Sequence, residues 1–239
     1  MVKDILDTIF NIYFSTIPFG VKITLLKIIR CQVVNNHENA SQAIVSLVFD
    51  VFYESLCPDS KNLITKQVWI LIQKLRNESN DKKDLVKFRF WPYGKSSEIY
   101  NNETLKWEFN CHHGAEECLG NLWHTCALYG NLAKQGDAEN FIACTFGYTK
   151  NLSVGLSECS QLANFNFKEL SICANSIEAT RFLRKTGVKT KELAPAINYI
   201  PWVLINNQYD VERRMQAESR LQELVCGVMN SQFSFCGQV

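Results

Sequence analysis

At 239 residues, with 46% hydrophobic and 21% charged residues, the chain can bury a sizeable core and reads as one large globular domain carrying insertions. A net charge of +1 excludes a charge-driven partnership with nucleic acid or an anionic membrane. No run of about 18 uncharged apolar residues exists, so no membrane span is expected. The N-terminus holds two apolar stretches, Ile5–Phe19 and Val21–Ile29. Asp4 and Asp7 stand where a secretion signal carries positive charge, and Lys22 and Lys27 interrupt the second stretch. Residues 1–40 therefore read as a leader or a poorly ordered segment ahead of a domain over 41–239.

An apolar run over 44–53 predicts a strand that leads the chain to Cys57. Pro58 then opens an amphipathic helix to Arg76, with Ile64, Val68, Leu71, Ile72 and Leu75 on one face. A sulfur between a strand end and a first helical turn meets free backbone N–H groups and the positive end of the helix dipole, which favour thiolate. That geometry belongs to thiol–disulfide chemistry, yet Ser60 occupies the place where a Cys-x-x-Cys pair puts its second sulfur. Residues 85–91 alternate, with Val86, Phe88 and Phe90 opposite Lys87 and Arg89, and predict a strand that ends at Pro92-Tyr93-Gly94. Strand, helix and strand make a right-handed βαβ unit with a parallel pair.

Residues 95–173 break the alternation. Leu119, Leu122, Trp123, Cys126 and Tyr129 recur at helical spacing, and Asp137 caps a further helix that ends near Gly147. This span reads as a helical, disulfide-bearing insertion. Asn175 or Ser176 caps a helix to Lys185, with Gly187 in the stop position. Pro201 leads into an apolar strand, Asn206-Asn207 turns into a second strand at 208–210, and a last helix covers 211–228. This order predicts an α/β chain with a thioredoxin-like fold. In that fold a cis proline lies opposite the active cysteine, and Pro201 takes that place by order.

Ten cysteines are spread along the chain. With Cys57 and Cys31 set aside, Cys111, Cys118, Cys126, Cys144, Cys159, Cys173, Cys226 and Cys236 form an even set of disulfide candidates with 105 connectivities open. Such a load suits an oxidising compartment. The glycosylation sequons at Asn39, Asn77, Asn102 and Asn151 agree with it. Two plainer readings stand beside these. Cys57 could pair with Cys31 and be inert. His112, His113 and His124 lie near cysteines and invite a zinc site, but the spacing is no finger pattern, and no metal is expected. Trp123 and Trp202 read as core or groove aromatics.

Cys111-His112-His113-Gly114, then Glu117-Cys118, Asn121 and Cys126, resembles the signature of the gamma-interferon-inducible lysosomal thiol reductase (GILT) family. Members read Cys-Gln-His-Gly, two residues, Glu-Cys, two residues, Asn, four residues, Cys; only His112 departs, standing for glutamine. The resemblance extends over 44–236 and includes Tyr53-Glu54-Ser55-Leu56-Cys57-Pro58, Pro92-Tyr93-Gly94 and Ile200-Pro201-Trp202-Val203. It implies a glycoprotein of the secretory pathway, extracellular or lysosomal, that reduces disulfide-bonded protein substrates. It makes Cys57 the attacking sulfur, Pro201 the groove proline, and the signature cysteines disulfide partners. Ser60 at the resolving position departs from the family pattern.

Disulfide reduction needs a second thiolate to displace the substrate from the mixed disulfide. A serine hydroxyl cannot do so, though it can donate a hydrogen bond to the Cys57 thiolate. Release then falls to an external thiol such as glutathione; no other cofactor is expected. Asp59 puts a negative charge near the sulfur, and Lys61 offsets part of it. Two readings result. One is a monothiol thiol–disulfide oxidoreductase; the other is a catalytically inactive secreted protein that holds a partner through the groove. The first expects Cys57 to be unpaired, exposed and facing Pro201 across a shallow cleft; it ends if the sulfur is crosslinked, or walled off from solvent with Pro201 elsewhere.

Overall fold

The computed structural model describes residues 46–132 and 136–238. The leader assigned to 1–40, Cys31 and the sequon at Asn39 lie outside the described residues. Strand β1 (Leu47–Tyr53) pairs parallel with β2 (Val86–Pro92) and antiparallel with a strand at Trp202–Ile205, so β1 is central. A central strand buries both faces, and its period of two sorts its side chains. Phe49, Val51 and Tyr53 join Val203 and Ile205 in the main core, whereas Phe52 joins Trp202 and Leu204 in a smaller cluster on the other side. Asp50 lies fully buried on that second face, where it accepts from the Arg89 guanidinium and the Trp91 indole N–H.

Helix α1 (Pro58–Leu63) continues through a π-helical turn at Ile64–Val68 into α2 (Trp69–Arg76). The predicted face is the buried one, with Leu63 added to it. Beyond β2 the insertion is not purely helical, which corrects the expectation for 95–173. It begins with an antiparallel hairpin, β3 (Ser97–Asn101) and β4 (Lys106–Asn110). Ile99 and Tyr100, adjacent in sequence, are both exposed, so β3 lacks the alternation that marks a half-buried strand. Helices α3 (Ala115–Tyr129), α4 (Ala138–Thr145), α5 (Leu152–Leu162) and α6 (Phe167–Ala174) follow. Cys126–Cys173 ties α3 to α6, and Cys144–Cys159 ties α4 to α5.

Helix α7 (Ile177–Lys191) is capped by Ser176, whose hydroxyl accepts from the Ala179 N–H at 3.2 Å. It runs straight through Gly187, a second correction. A Cβ there would lie 2.5 Å from Cε2 of Tyr93, so this glycine admits a close ring rather than ending a helix. After β5 (Trp202–Ile205) the predicted partner strand at 208–210 reduces to a single bridge between Gln208 and Ile205, with Asn206 and Asn207 at positive φ between them. Helix α8 (Val211–Val228) closes the fold and is fastened by Cys226–Cys236 to a 3-10 turn at Ser234–Gln238. A parallel βαβ unit, an inserted helical lobe, and a proline-led antiparallel strand before a last helix make the architecture mixed α/β and thioredoxin-like. No helix among the described residues is long and apolar enough to cross a membrane.

Candidate active site

Cys57 is the N-cap of α1, in extended conformation at φ −67° and ψ 125°, and its Sγ accepts from the Ser60 backbone N–H at 3.5 Å. The sulfur thus takes the place of the usual capping oxygen. On its other side the thiol donates to the Ile200 carbonyl at 3.8 Å, and the Ile200–Pro201 peptide is cis. Cys57 and Ser60, neighbours in sequence, therefore meet the distant Pro201 in one place. Cys57 carries no disulfide among the described residues.

Two expectations need correction here. Cys57 is not exposed: it is 6% accessible, packed with Phe52, Ile200, Trp202 and Leu204. The cause is long-range, since the segment before β5 folds over the sulfur. Nor does the Ser60 hydroxyl reach Cys57. That side chain is fully buried and its Oγ accepts from the Glu54 N–H at 3.3 Å, so only the Ser60 backbone supports the sulfur. A cleft of about 390 Å³ opens beside Pro201, lined by Asp59, Asn62, Tyr199, Arg214 and Glu218 among others.

The Cys111–Cys118 bridge closes the loop that enters α3. Gly114, at φ +88°, makes the turn into the helix, a conformation that favours glycine. From α3, Asn121 Oδ1 accepts from the Ser55 N–H at 3.0 Å and the Glu117 carbonyl accepts from the Ser55 hydroxyl at 2.9 Å. A Cβ on Gly120 would sit 2.5 Å from Ser55 Oγ. The signature residues thus grip the short segment between β1 and α1, and so set where Cys57 stands.

Sequence reading assigns Glu54 no role, yet it anchors the other half of this grip. Its carboxylate is fully buried; Oε1 accepts from the Lys95 N–H at 2.7 Å, and Oε2 lies 3.3 Å from Nδ1 of both His112 and His113. A Cβ on Gly94, at φ +59°, would fall 2.2 Å from Glu54 Cγ, so the Pro92-Tyr93-Gly94 turn is shaped to admit this side chain. His113 Nδ1 also lies 2.5 Å from Glu117 Oε2. Burial, together with the charge of nearby Glu54, pushes the Glu117 carboxyl above its ordinary range. The signal for Glu54 was an acidic residue directly after a buried strand, but its partners come from residues 94–117 and leave no local trace.

The remaining sites are dispersed. His124 sits in the core between Tyr53 and Thr145, away from the other two histidines. Trp123 and Trp202 are buried, the latter stacked on Tyr209. The sequon residues Asn77, Asn102 and Asn151 are exposed.

Residues 48–163 match the family model described as gamma interferon inducible lysosomal thiol reductase (GILT). GILT-like protein 1 of Drosophila melanogaster is 31% identical over 201 residues, spanning 79% of this chain and 77% of that protein. The gamma-interferon-inducible lysosomal thiol reductase of Carassius auratus is 27% identical over 203 residues, 84% of this chain and 74% of its own length. Among solved structures, Chlamydia trachomatis DsbA is similar at 13% identity and a TM-score of 0.47, over 74% of this chain and 87% of that one. The likeness to the fly protein runs through most of both chains, and the family-model match spans the signature that folds against the Cys57 segment. This chain belongs to the GILT family.

Proposed function

We propose that the chain is a thiol–disulfide oxidoreductase of monothiol type, in which Cys57 acts alone. The observation that carries this is the placement of Cys57: unbridged among the described residues, capping α1, and beside the cis Pro201, while eight other cysteines are locked in disulfides. The names of the relatives, thiol reductases, support the reaction class. The Cys57 thiolate attacks one sulfur of a substrate disulfide; a mixed disulfide forms and the other substrate sulfur leaves as thiolate. Glutathione thiolate then attacks that mixed disulfide, regenerating Cys57 thiolate and leaving a glutathionylated substrate. A second glutathione reduces this to the free thiol and yields oxidised glutathione. Ser60 supplies only its backbone N–H. Protein disulfides are the substrate class, and the disulfides and exposed sequons support a place in the secretory pathway, extracellular or lysosomal.

The burial of Cys57 favours a second reading, a catalytically inactive secreted protein that holds a partner in the cleft beside Pro201. Insulin reduction by glutathione, followed from about pH 4.5 to about pH 7.5, separates the two. The oxidoreductase reading expects turnover that Cys57→Ala abolishes. Equal rates for the wild type and Cys57→Ala at every pH would leave the binding reading.

A further inference from the structure

We propose that Glu54, His112, His113 and Glu117 form a binding site for one divalent metal ion of the zinc class. The inference stands apart from the thiol chemistry. At the sequence level His112, His113 and His124 stand with the nearby cysteines and no metal is expected; in the structure those cysteines are in disulfides and His124 is in the core, which leaves His112 and His113. The donors that do converge are two imidazoles and the Glu54 carboxylate, with the Glu117 carboxylate against His113, a set suited to a borderline divalent cation.

The arrangement is built for ligation. Each carboxylate has one oxygen tied back by a backbone N–H: Glu54 Oε1 by Lys95 at 2.7 Å and Glu117 Oε1 by His113 at 3.2 Å. Glu54 then presents Oε2 to both imidazoles and Glu117 presents Oε2 to His113. Donor atoms of Glu54, His112 and His113 all lie within 4.8 Å of one another. The separations of 3.3 Å from Glu54 Oε2 to both Nδ1 atoms are those of neighbouring ligands around a tetrahedral ion, about 3.3 Å for bonds of about 2.0 Å. Glu117 lies outside that cluster: to join the ligands its carboxylate shifts toward the other donors while its 2.5 Å contact with His113 opens by roughly 1 Å. His113 is 31% exposed, so its ring has room to do this.

Charge points the same way. Glu54 and Glu117 are both fully buried and both meet His113, and one divalent ion balances the two charges. The bridge Cys111–Cys118 and the backbone contacts hold the carboxylates before any ion arrives, while His112, 51% exposed, leaves an entry path from solvent. His112 is also the one signature position where this chain departs from the family's glutamine, so the fourth donor belongs to this chain in particular.

Zinc titration by calorimetry of the full, disulfide-intact chain at neutral pH tests the site, with Co2+ as a spectroscopic probe. One Zn2+ per chain is expected, with the strong visible absorption of four-coordinate Co2+. His112→Gln and His113→Gln should each weaken Zn2+ binding at least tenfold, because even loss of a group that only orients a ligand costs about 10–100-fold. His112→Gln restores the residue usual in the family, and its circular dichroism should match the wild type. No stoichiometric Zn2+ binding, wild-type affinity in His112→Gln, or only the pale spectrum of six-coordinate Co2+ would overturn the proposal.

Discussion

The His124 imidazole makes the acid response of this fold calculable. The Thr145 hydroxyl donates to the Ile142 carbonyl at 2.8 Å, so toward His124 Nε2, at 2.9 Å, it accepts. The proton therefore sits on Nε2, and bare Nδ1 accepts from the Tyr53 hydroxyl at 3.0 Å. The neutral ring is fully satisfied between Phe141 and Phe146, and burial pushes its pKa from 6.5 down to about 3. With the folded value below the unfolded one, the unfolded chain binds one more proton between those limits. Stability is then fully present above about pH 6.5 and falls as the pH drops toward 3. At about 1.4 kcal/mol per pH unit, and with the unfolded ring half protonated at pH 6.5, moving from pH 6.5 to pH 4.5 removes about 2.3 kcal/mol. Other groups titrate too, so the reading comes from a difference. Urea unfolding of the wild type and His124→Gln, disulfides intact, should show the variant less stable near neutrality but gaining about 2.3 kcal/mol on the wild type across that window. A wild-type-minus-variant difference that stays flat with pH would refute a buried neutral histidine.

Three further outcomes follow from the packing and the site. Ser60→Cys puts a second sulfur on the residue whose N–H already meets Cys57 Sγ; insulin reduction should rise at least about tenfold, and a folded variant with no gain would show that the site has decayed beyond this residue. Gly187→Ala drives a Cβ into the Tyr93 ring, costing about 1–3 kcal/mol against a helix-propensity gain of about 0.5–1 kcal/mol, so the urea midpoint should fall rather than rise. Replacing both cysteines of Cys126–Cys173, separated by 47 residues, should cost about 4 kcal/mol, whereas Cys226–Cys236, separated by 10, should cost about 2.7 kcal/mol; the order is read from thermal midpoints of the two double variants.

Where a single segment carries its own signal, the sequence is a good guide to this fold. The apolar run into β1, proline at the start of α1, alternation in β2 and the Asp137 and Ser176 caps all specify their elements locally. The hairpin β3–β4 escapes because it is an exposed two-stranded ribbon whose turn is set by Asn101, which accepts from the Glu103 and Thr104 N–H groups. Gly187 is misread for a different reason. A glycine in a helix can mark an end or a close approach, and only the ring of Tyr93, 94 positions earlier, decides which. Cys57 repeats the lesson at the site itself: helix position predicts the cap geometry, while exposure depends on Ile200 and Trp202.

The same distinction explains how a site for two sulfurs persists with one. Nothing that holds the Cys57 segment involves a sulfur at position 60. Ser55 is held by Asn121 and Glu117, Glu54 by Lys95 and the gap at Gly94, and Cys57 by the Ser60 backbone and Ile200. Each contact uses backbone atoms or residues outside the Cys-x-x-Ser pair, and the small Ser60 side chain keeps its own bond to the Glu54 N–H. The geometry that presents a nucleophile is therefore separable from the chemistry that resolves the mixed disulfide. On the monothiol reading proposed above, serine at that position stops internal release without loosening the scaffold, and the burden of turnover moves to whatever thiol can reach Cys57 beneath Ile200 and Trp202.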